Sequence, residues 1–212
     1  MHEGLLPLFP LQVVLFPGAE LPLHIFEDRY KEMIGEAVRD RTEFGVVMAS
    51  EKGMVSTGCT ATVERVLKQY PDGRMDILTL GRRRFEILLL NSERAFLRGS
   101  VEFFDDEIGE PVSPENRKLA LDGYKQLQSL LEEPVAAADA AENLGDDPRL
   151  SFRLAQPVPE LGFRQRLLST RSEAERIRHL VEFFPEYLQR QRRLHHVKTI
   201  APRNGHGRHS EG

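Results

Sequence analysis

The chain has 212 residues, 40% hydrophobic and 29% charged, enough for one large domain or two small ones with a sizeable core. Its apolar runs are interrupted well short of the ~18 residues needed to cross a bilayer, so no membrane partner is expected. The single cysteine, Cys59, excludes an intramolecular disulfide framework and a thiol cluster for zinc. The apolar N-terminus carries Glu3, lacks a basic start, and is broken by Pro7, Pro10, Pro17 and Pro22, which argues against a secretory signal and for the cytoplasm.

The net charge of −4 is unevenly spread. Residues 1–104 hold 13 Lys/Arg against 15 Asp/Glu, and residues 105–188 hold 10 against 17. Only residues 189–212 are basic, with Arg190, Arg192, Arg193, Lys198, Arg203 and Arg208 against Glu211.

Up to about Phe104 the apolar residues alternate or come in short runs, the period of strands. Strands are expected at 11–15, 21–25, 44–49, 57–70, 74–80, 85–90 and 96–104. Pro71-Asp72-Gly73 has the chemistry of a tight turn and joins residues 57–80 into one hairpin. Within its first strand Ala61 and Val63 share a face while Val66 falls in the opposite phase, which predicts a bulge near Arg65 and a bent, barrel-forming strand. One helix, residues 27–39, is expected here, because Tyr30, Met33, Ile34, Ala37 and Val38 recur at helical spacing; it can plug a barrel end.

Residues 105–114 are acidic, contain Gly109, Pro111 and Pro114, and precede a switch of period from two to about 3.6. The expected organisation is therefore a β domain over 1–106, a helical bundle over 107–198, and a disordered tail over 199–212. Ser113-Pro114 supplies an N-cap and a favoured first residue for a helix burying Ala120, Tyr124, Leu127, Leu130 and Leu131, ended by Pro134. The alanines from Ala136 to Ala141 favour a further helical segment. Asp147-Pro148 opens a short helix through Leu150, Phe152, Leu154 and Ala155, and residues 162–169 form the next turns. Ser172 with Glu175 is a capping-box pattern leading a helix with Ile177, Leu180, Val181, Phe184 and Leu188 on one face, kinked at Pro185.

The motifs Leu6-Pro7-Leu8-Phe9-Pro10-Leu11, Val14-Leu15-Phe16-Pro17-Gly18 and Leu21-Pro22-Leu23-His24-Ile25-Phe26-Glu27 with Arg29-Tyr30 resemble the N-terminal domain of Lon proteases, and especially the short bacterial stand-alone Lon-domain proteins. Further matches follow in order: Phe44-Gly45-Val46, Gly58-Cys59-Thr60-Ala61, Asp72-Gly73-Arg74, Gly81 with Arg84-Phe85, residues 150–155, Gln165 with Leu167-Leu168, and Glu175-Arg176. The resemblance covers about residues 5–195. It implies an α+β protein, a PUA-like pseudo-barrel followed by a helical bundle, in a region that recognises and holds protein substrates.

No Gly-x-x-x-x-Gly-Lys-Ser/Thr is present, so nucleotide phosphates have no backbone cradle, and no serine lies in a recognisable nucleophile setting with a partner lysine. A non-catalytic protein-binding module without ATPase or peptidase parts, needing no cofactor or metal, is the expectation. Its partners would be unfolded or exposed apolar protein segments, or a partner protein. Candidate contacts are Phe9, Phe16, Leu23, Phe26 and Tyr30, although for any one of Phe9, Phe16, Leu23 and Phe26 a place in the barrel core is the favoured reading, since large apolar side chains are usually buried. His24 and Glu27 lack a third ligand for a metal, and Cys59 reads as a small buried hydrophobe.

Arg82-Arg83-Arg84 is a positive cluster expected at a turn. It carries the alternative reading, an RNA-binding PUA-like module, with Arg82 and Arg83 as the contacts and Arg84 paired with a carboxylate. The slightly acidic domain and the lack of interleaved aromatics argue against nucleic acid. The basic residues before the tail suit a solvated helix C-terminus.

Overall fold

A computed structural model describes residues 4–51, 53–131 and 147–200. Its first half is organised by the Pro71-Asp72-Gly73 turn. Gly73 takes φ 84°, which favours glycine, and its N–H donates to the Tyr70 carbonyl at 3.0 Å. The Asp72 carboxylate accepts from the Arg74 backbone N–H and from its Nε. This turn joins β4 (Gly53–Gln69) to β5 (Met75–Asn91), two strands of 17 residues each.

The hairpin is bent by register shifts at Cys59/Ala61, Val63/Arg65 and Val66/Lys68, the second of them at the position expected. Such irregularities add twist and let a long strand change neighbours. The first half of β5 pairs with β2 (Glu20–Ile25) and its second half with β6 (Arg98–Phe104). The strand order is β2-β5-β4-β3-β1-β6 with β6 also pairing β5, so β5, β4, β3 (Phe44–Ser50), β1 (Leu6–Leu11) and β6 close a ring. β1 runs parallel to β3 but meets β6 only through Leu6 and Pro7.

The described chain divides into two compact units. The sheet unit comprises Met1–Ile108 and Val158–Ser172. Its core holds Leu8, Phe16, Phe44, Ile77 and Phe85, all fully buried, and α1 (Asp28–Asp40) adds Tyr30, Met33, Ile34 and Ala37. The Phe9 and Tyr30 rings lie 4.1 Å apart. In the same unit α4 (Leu161–Ser169) is fastened by Arg164, which donates to the Val14 carbonyl at 2.9 Å, and by Gln165, which donates to the Thr57 carbonyl at 3.0 Å.

The helical unit contains α2 (Pro114–Gln128), α3 (Leu150–Leu154) and α5 (Glu173–Ile200). The Ser113 side chain accepts from the Asn116 N–H, and Pro114 opens α2, as expected. Ala120, Tyr124 and Leu127 of α2 are buried, as are Ile177, Leu180, Phe184 and Leu188 of α5. Arg176 is fully buried yet satisfied: it bonds Ser151 Oγ at 2.8 Å and Glu173 Oε2 at 2.7 Å, with its guanidinium over the Phe152 ring.

Several sequence expectations need correcting. Strand β1 covers Leu6–Leu11, not 11–15; proline costs a strand one N–H, and past Leu8, whose N–H donates to the Leu97 carbonyl, β1 pairs with β3 alone among the described residues. The strands expected at 74–80 and 85–90 are one strand, so Arg82-Arg83-Arg84 lies inside β5 rather than at a turn. The segment Val158–Ser172, expected within the bundle, belongs with the sheet unit, and the division falls after Ile108 rather than at 106. Of the expected tail, Thr199 and Ile200 continue α5, while 201–212, like the alanine-rich segment and Pro134, lie outside the described residues.

Gly81 explains the merging of the two expected strands. It is where the 16–19 segment crosses β5: its N–H donates to the Ala19 carbonyl, its carbonyl accepts from the Gly18 N–H, and a Cβ would stand 2.2 Å from the Phe16 carbonyl oxygen. Gly81→Ala is therefore expected to destabilise the protein by about 2–3 kcal/mol through backbone displacement. Gly35→Ala, where a Cβ meets nothing within 4 Å inside α1, should stabilise it by about 0.5–1 kcal/mol. Urea denaturation of both variants is the check; equal midpoints would contradict the crossing.

Candidate functional site

The candidate contact residues separate into buried and exposed groups. Phe9, Phe16 and Tyr30 are buried, and Arg164 stacks on the Phe16 ring at 4.4 Å. Burial of Arg164 lowers its pKa to about 10, still cationic at neutral pH. Leu23 is half-buried, and Phe26 is 60% exposed, so it fills no core and remains available. Phe26 stacks on His24, whose Nδ1 lies 2.6 Å from Asp76 Oδ1, while the Tyr70 hydroxyl donates to Asp76 Oδ2. His24 thus pairs across the sheet with Asp76, while Glu27 bonds Arg29 beside it.

The arginines of β5 point to three different partners. Arg82 donates to Glu64 at 2.7 Å and to Thr62 at 2.9 Å, and the Thr62 hydroxyl donates to the Glu64 carboxylate at 2.7 Å; that hydroxyl first, and then Arg82, holds the Glu64 carboxyl below its ordinary pKa. Arg83 donates to Glu43 from two nitrogens and lies 3.8 Å over the Phe103 ring. Arg84 is buried, bonded to Asp106 at 2.5 Å and to the Thr170 carbonyl at 2.7 Å, the carboxylate pairing expected for it. It is a structural clamp inside the sheet unit.

The largest apolar exposure on a strand was not among the candidates. Leu88, Leu89 and Leu90, at the end of β5, are 57%, 72% and 55% exposed, and Phe103 on β6, whose partner on β5 is Phe85, is 42% exposed. A register shift between Ile87 and Leu89 places the extra residue there. The sequence did contain a signal: three consecutive leucines leave no polar position for the solvent face of an alternating strand.

Leu88, Val101 and Phe103 line a cleft of about 880 Å³ together with Leu6, Glu43 and Arg83, and its wall includes Ser100 and Glu102. The cleft follows from the short contact of β1 with β6. Beyond Gly99, the edge of β6 that faces away from β5 has no strand beside it among the described residues. Backbone donors and acceptors and apolar side chains are therefore offered side by side. Among the described residues no group of three His, Cys, Asp or Glu is placed to hold a metal, and no helix is long and apolar enough to cross a membrane.

The ring of strands thus carries a cleft of mixed apolar and charged lining beside an edge that is unpaired among the described residues. The chain matches the model of the substrate-binding domain of ATP-dependent protease La (LON) over residues 5–184, and it belongs to that family. Similar relatives include the Lon protease of Roseiflexus castenholzii, 29% identical over 202 residues and covering 89% of this chain, and that of Cytophaga hutchinsonii, 25% identical over 200 residues and covering 88%. The chain spans 24% of the length of each of these two relatives. Among solved structures it resembles a Lon N-terminal domain protein from Xanthomonas campestris, with TM-score 0.66, 27% identity, and coverage of 85% of this chain and 98% of that one. The N-terminal domain of a Mycobacterium avium complex Lon protease, at 20% identity and TM-score 0.64, covers 85% of this chain and 97% of that one and shares the fold. What is matched is the substrate-binding part of the protease.

Bonds from His24 first, and then from Tyr70, lower the Asp76 pKa. A depressed folded-state pKa means that the contribution of Asp76 to stability is complete above the ordinary carboxyl pKa and lost as pH falls through the folded value. Carboxyl NMR titration should show Asp76 protonating at lower pH than a free aspartate, and Asp76→Asn should flatten part of the acid limb of the stability curve. An unshifted titration would contradict the pairing.

Proposed function

We propose that this chain binds extended apolar segments of unfolded or partner proteins by adding them as a strand to the open edge of β6. The carrying observation is the coincidence, in one cleft, of an edge unpaired among the described residues with the exposed side chains of Leu88 and Phe103. Strand addition supplies affinity through main-chain hydrogen bonds common to all sequences, while side-chain contacts select apolar residues at alternate positions. That combination suits a receptor that must accept many unrelated chains. Family membership supports the same reading, since the matched domain is the one named for substrate binding. The lone, fully buried Cys59 suits action in the reducing cytoplasm.

An exposed hydrophobic edge is an aggregation hazard unless it is guarded. Glu102 and the Arg83–Glu43 pair stand in the cleft wall and can serve as that guard. The same pairing weighs against the RNA reading. Arg82 and Arg83 already serve Glu64 and Glu43, so a phosphate would compete with two carboxylates held within 3.0 Å of the guanidinium groups.

The reading is tested with a permanently unfolded, carboxymethylated protein as probe, measured by fluorescence anisotropy. Leu88→Ser combined with Phe103→Ser should weaken binding about tenfold, since each removes roughly 0.5–1 kcal/mol of apolar burial at a partly exposed site. Val66→Ser with Leu67→Ser, on exposed residues of β4 that do not line the cleft, should change it little. Equal losses from both pairs, or no binding by the unaltered chain, would sink the proposal.

A further inference from the structure

Arg41 is the one non-glycine residue with positive φ among the described residues, at φ 53° and ψ 43°. It occupies the left-handed position that ends α1, where its N–H donates to the Ala37 carbonyl. Glycine, or failing that asparagine, is the residue that reaches this conformation without a Cβ clash. An arginine kept there carries a backbone cost that its side chain does not repay within the fold: the guanidinium is exposed and makes no hydrogen bond or ion pair among the described residues. Backbone strain of this kind collects at functional positions.

The position of the side chain gives the strain a use. Arg41 lines the cleft at the open edge of β6, and it also lines a smaller groove of about 380 Å³ formed with Val38, Val63 and Val66. The charges of the larger cleft are Arg83 and Glu43, which neutralise each other, and Glu102 and Arg41, for which the structure shows no ion pair. Among the described residues, a segment lying in the cleft thus meets one uncommitted cation at the α1 end of the wall and one uncommitted anion on β6.

Resting on the strand-addition reading, we propose that Arg41 sets the preference of the cleft: it selects apolar extended segments that carry a single carboxylate, and Glu102 disfavours segments that carry several. The occupant is an extended, mostly apolar polypeptide strand with one Asp or Glu. The guanidinium offers that carboxylate a forked donor, and the partly apolar walls reduce competition from water. Neutral segments bind through the edge and the apolar contacts alone.

The test uses three fluorescein-labelled peptides of alternating valine and threonine, identical except for one Glu, Gln or Lys. The intact chain should bind the Glu peptide about three- to fivefold more tightly than the Gln peptide, the scale of one partly exposed ion pair, and the Lys peptide, repelled by Arg41 but attracted by Glu102, less tightly than the Glu peptide. The preference should vanish near 0.5 M salt while affinity for the Gln peptide persists, because only the charge contact is screened. Arg41→Asn relieves the backbone and should keep or raise the melting temperature, yet abolish the Glu-over-Gln preference; Arg41→Lys should restore part of it. A peptide with three Glu residues should bind worse than the one with a single Glu, and Glu102→Gln should remove that penalty. Tight binding of all three peptides without a preference, or a preference that survives Arg41→Asn, overturns the role of Arg41 and leaves the cleft reading standing. Failure of every peptide to bind overturns both.

Discussion

The architecture of the sheet unit depends on one strand serving three neighbours. β5 lies beside β2 and β4 in its first half and beside β4 and then β6 in its second. A flat strand could not do this. The irregularities of β4 opposite it and the side-chain-free crossing at Gly81 let it coil far enough for β6 to reach back to β1. Closure is incomplete because β1 meets β6 over two residues only, and that shortfall creates the cleft. The proposed binding surface is thus a by-product of how the ring closes, so it can be kept while the side chains around it vary.

The unit gains definition from arginines used as internal fasteners. Arg84 ties β5 to Asp106 and to the carbonyls of Leu168 and Thr170, and Arg164 reaches the carbonyls of Val14 and Val158. Both bring the returning segment Val158–Ser172 onto the sheet, a long sequence separation bridged by planar, multidonor groups. Buried charges are costly unless every donor is met. These two therefore fix a specific arrangement more than they add net stability.

Much of this was legible in the residues. The Pro71-Asp72-Gly73 turn, the bulge near Arg65, the Ser113 cap and the apolar face of α1 each rest on local chemistry, and local chemistry determined them. The misreadings share a different origin. Prolines at 7 and 10 and the glycine at 81 looked like breaks, because sequence shows what a residue disfavours but not which neighbour makes that harmless. The return of 158–172 to the sheet depends on contacts more than fifty residues away in the chain, which no window of periodicity contains. For the site, apolar identity alone could not separate the buried Phe9 from the exposed Phe26. The leucine triplet at 88–90 and the arginine at a helix end were visible as departures from pattern, and such departures proved the better guide to the surface than the regular motifs.

Family membership assigns the chain to a substrate-binding domain family, and strand addition at β6 is the proposed physical means by which this chain accepts unrelated sequences. The most direct measurement is amide hydrogen exchange of the intact chain with and without saturating unfolded protein. The account predicts slowed exchange concentrated at residues 100–104 of β6, with β2 and the outer edge of β4 unchanged. Protection confined to β2 or β4, or none anywhere despite measured binding, would contradict it.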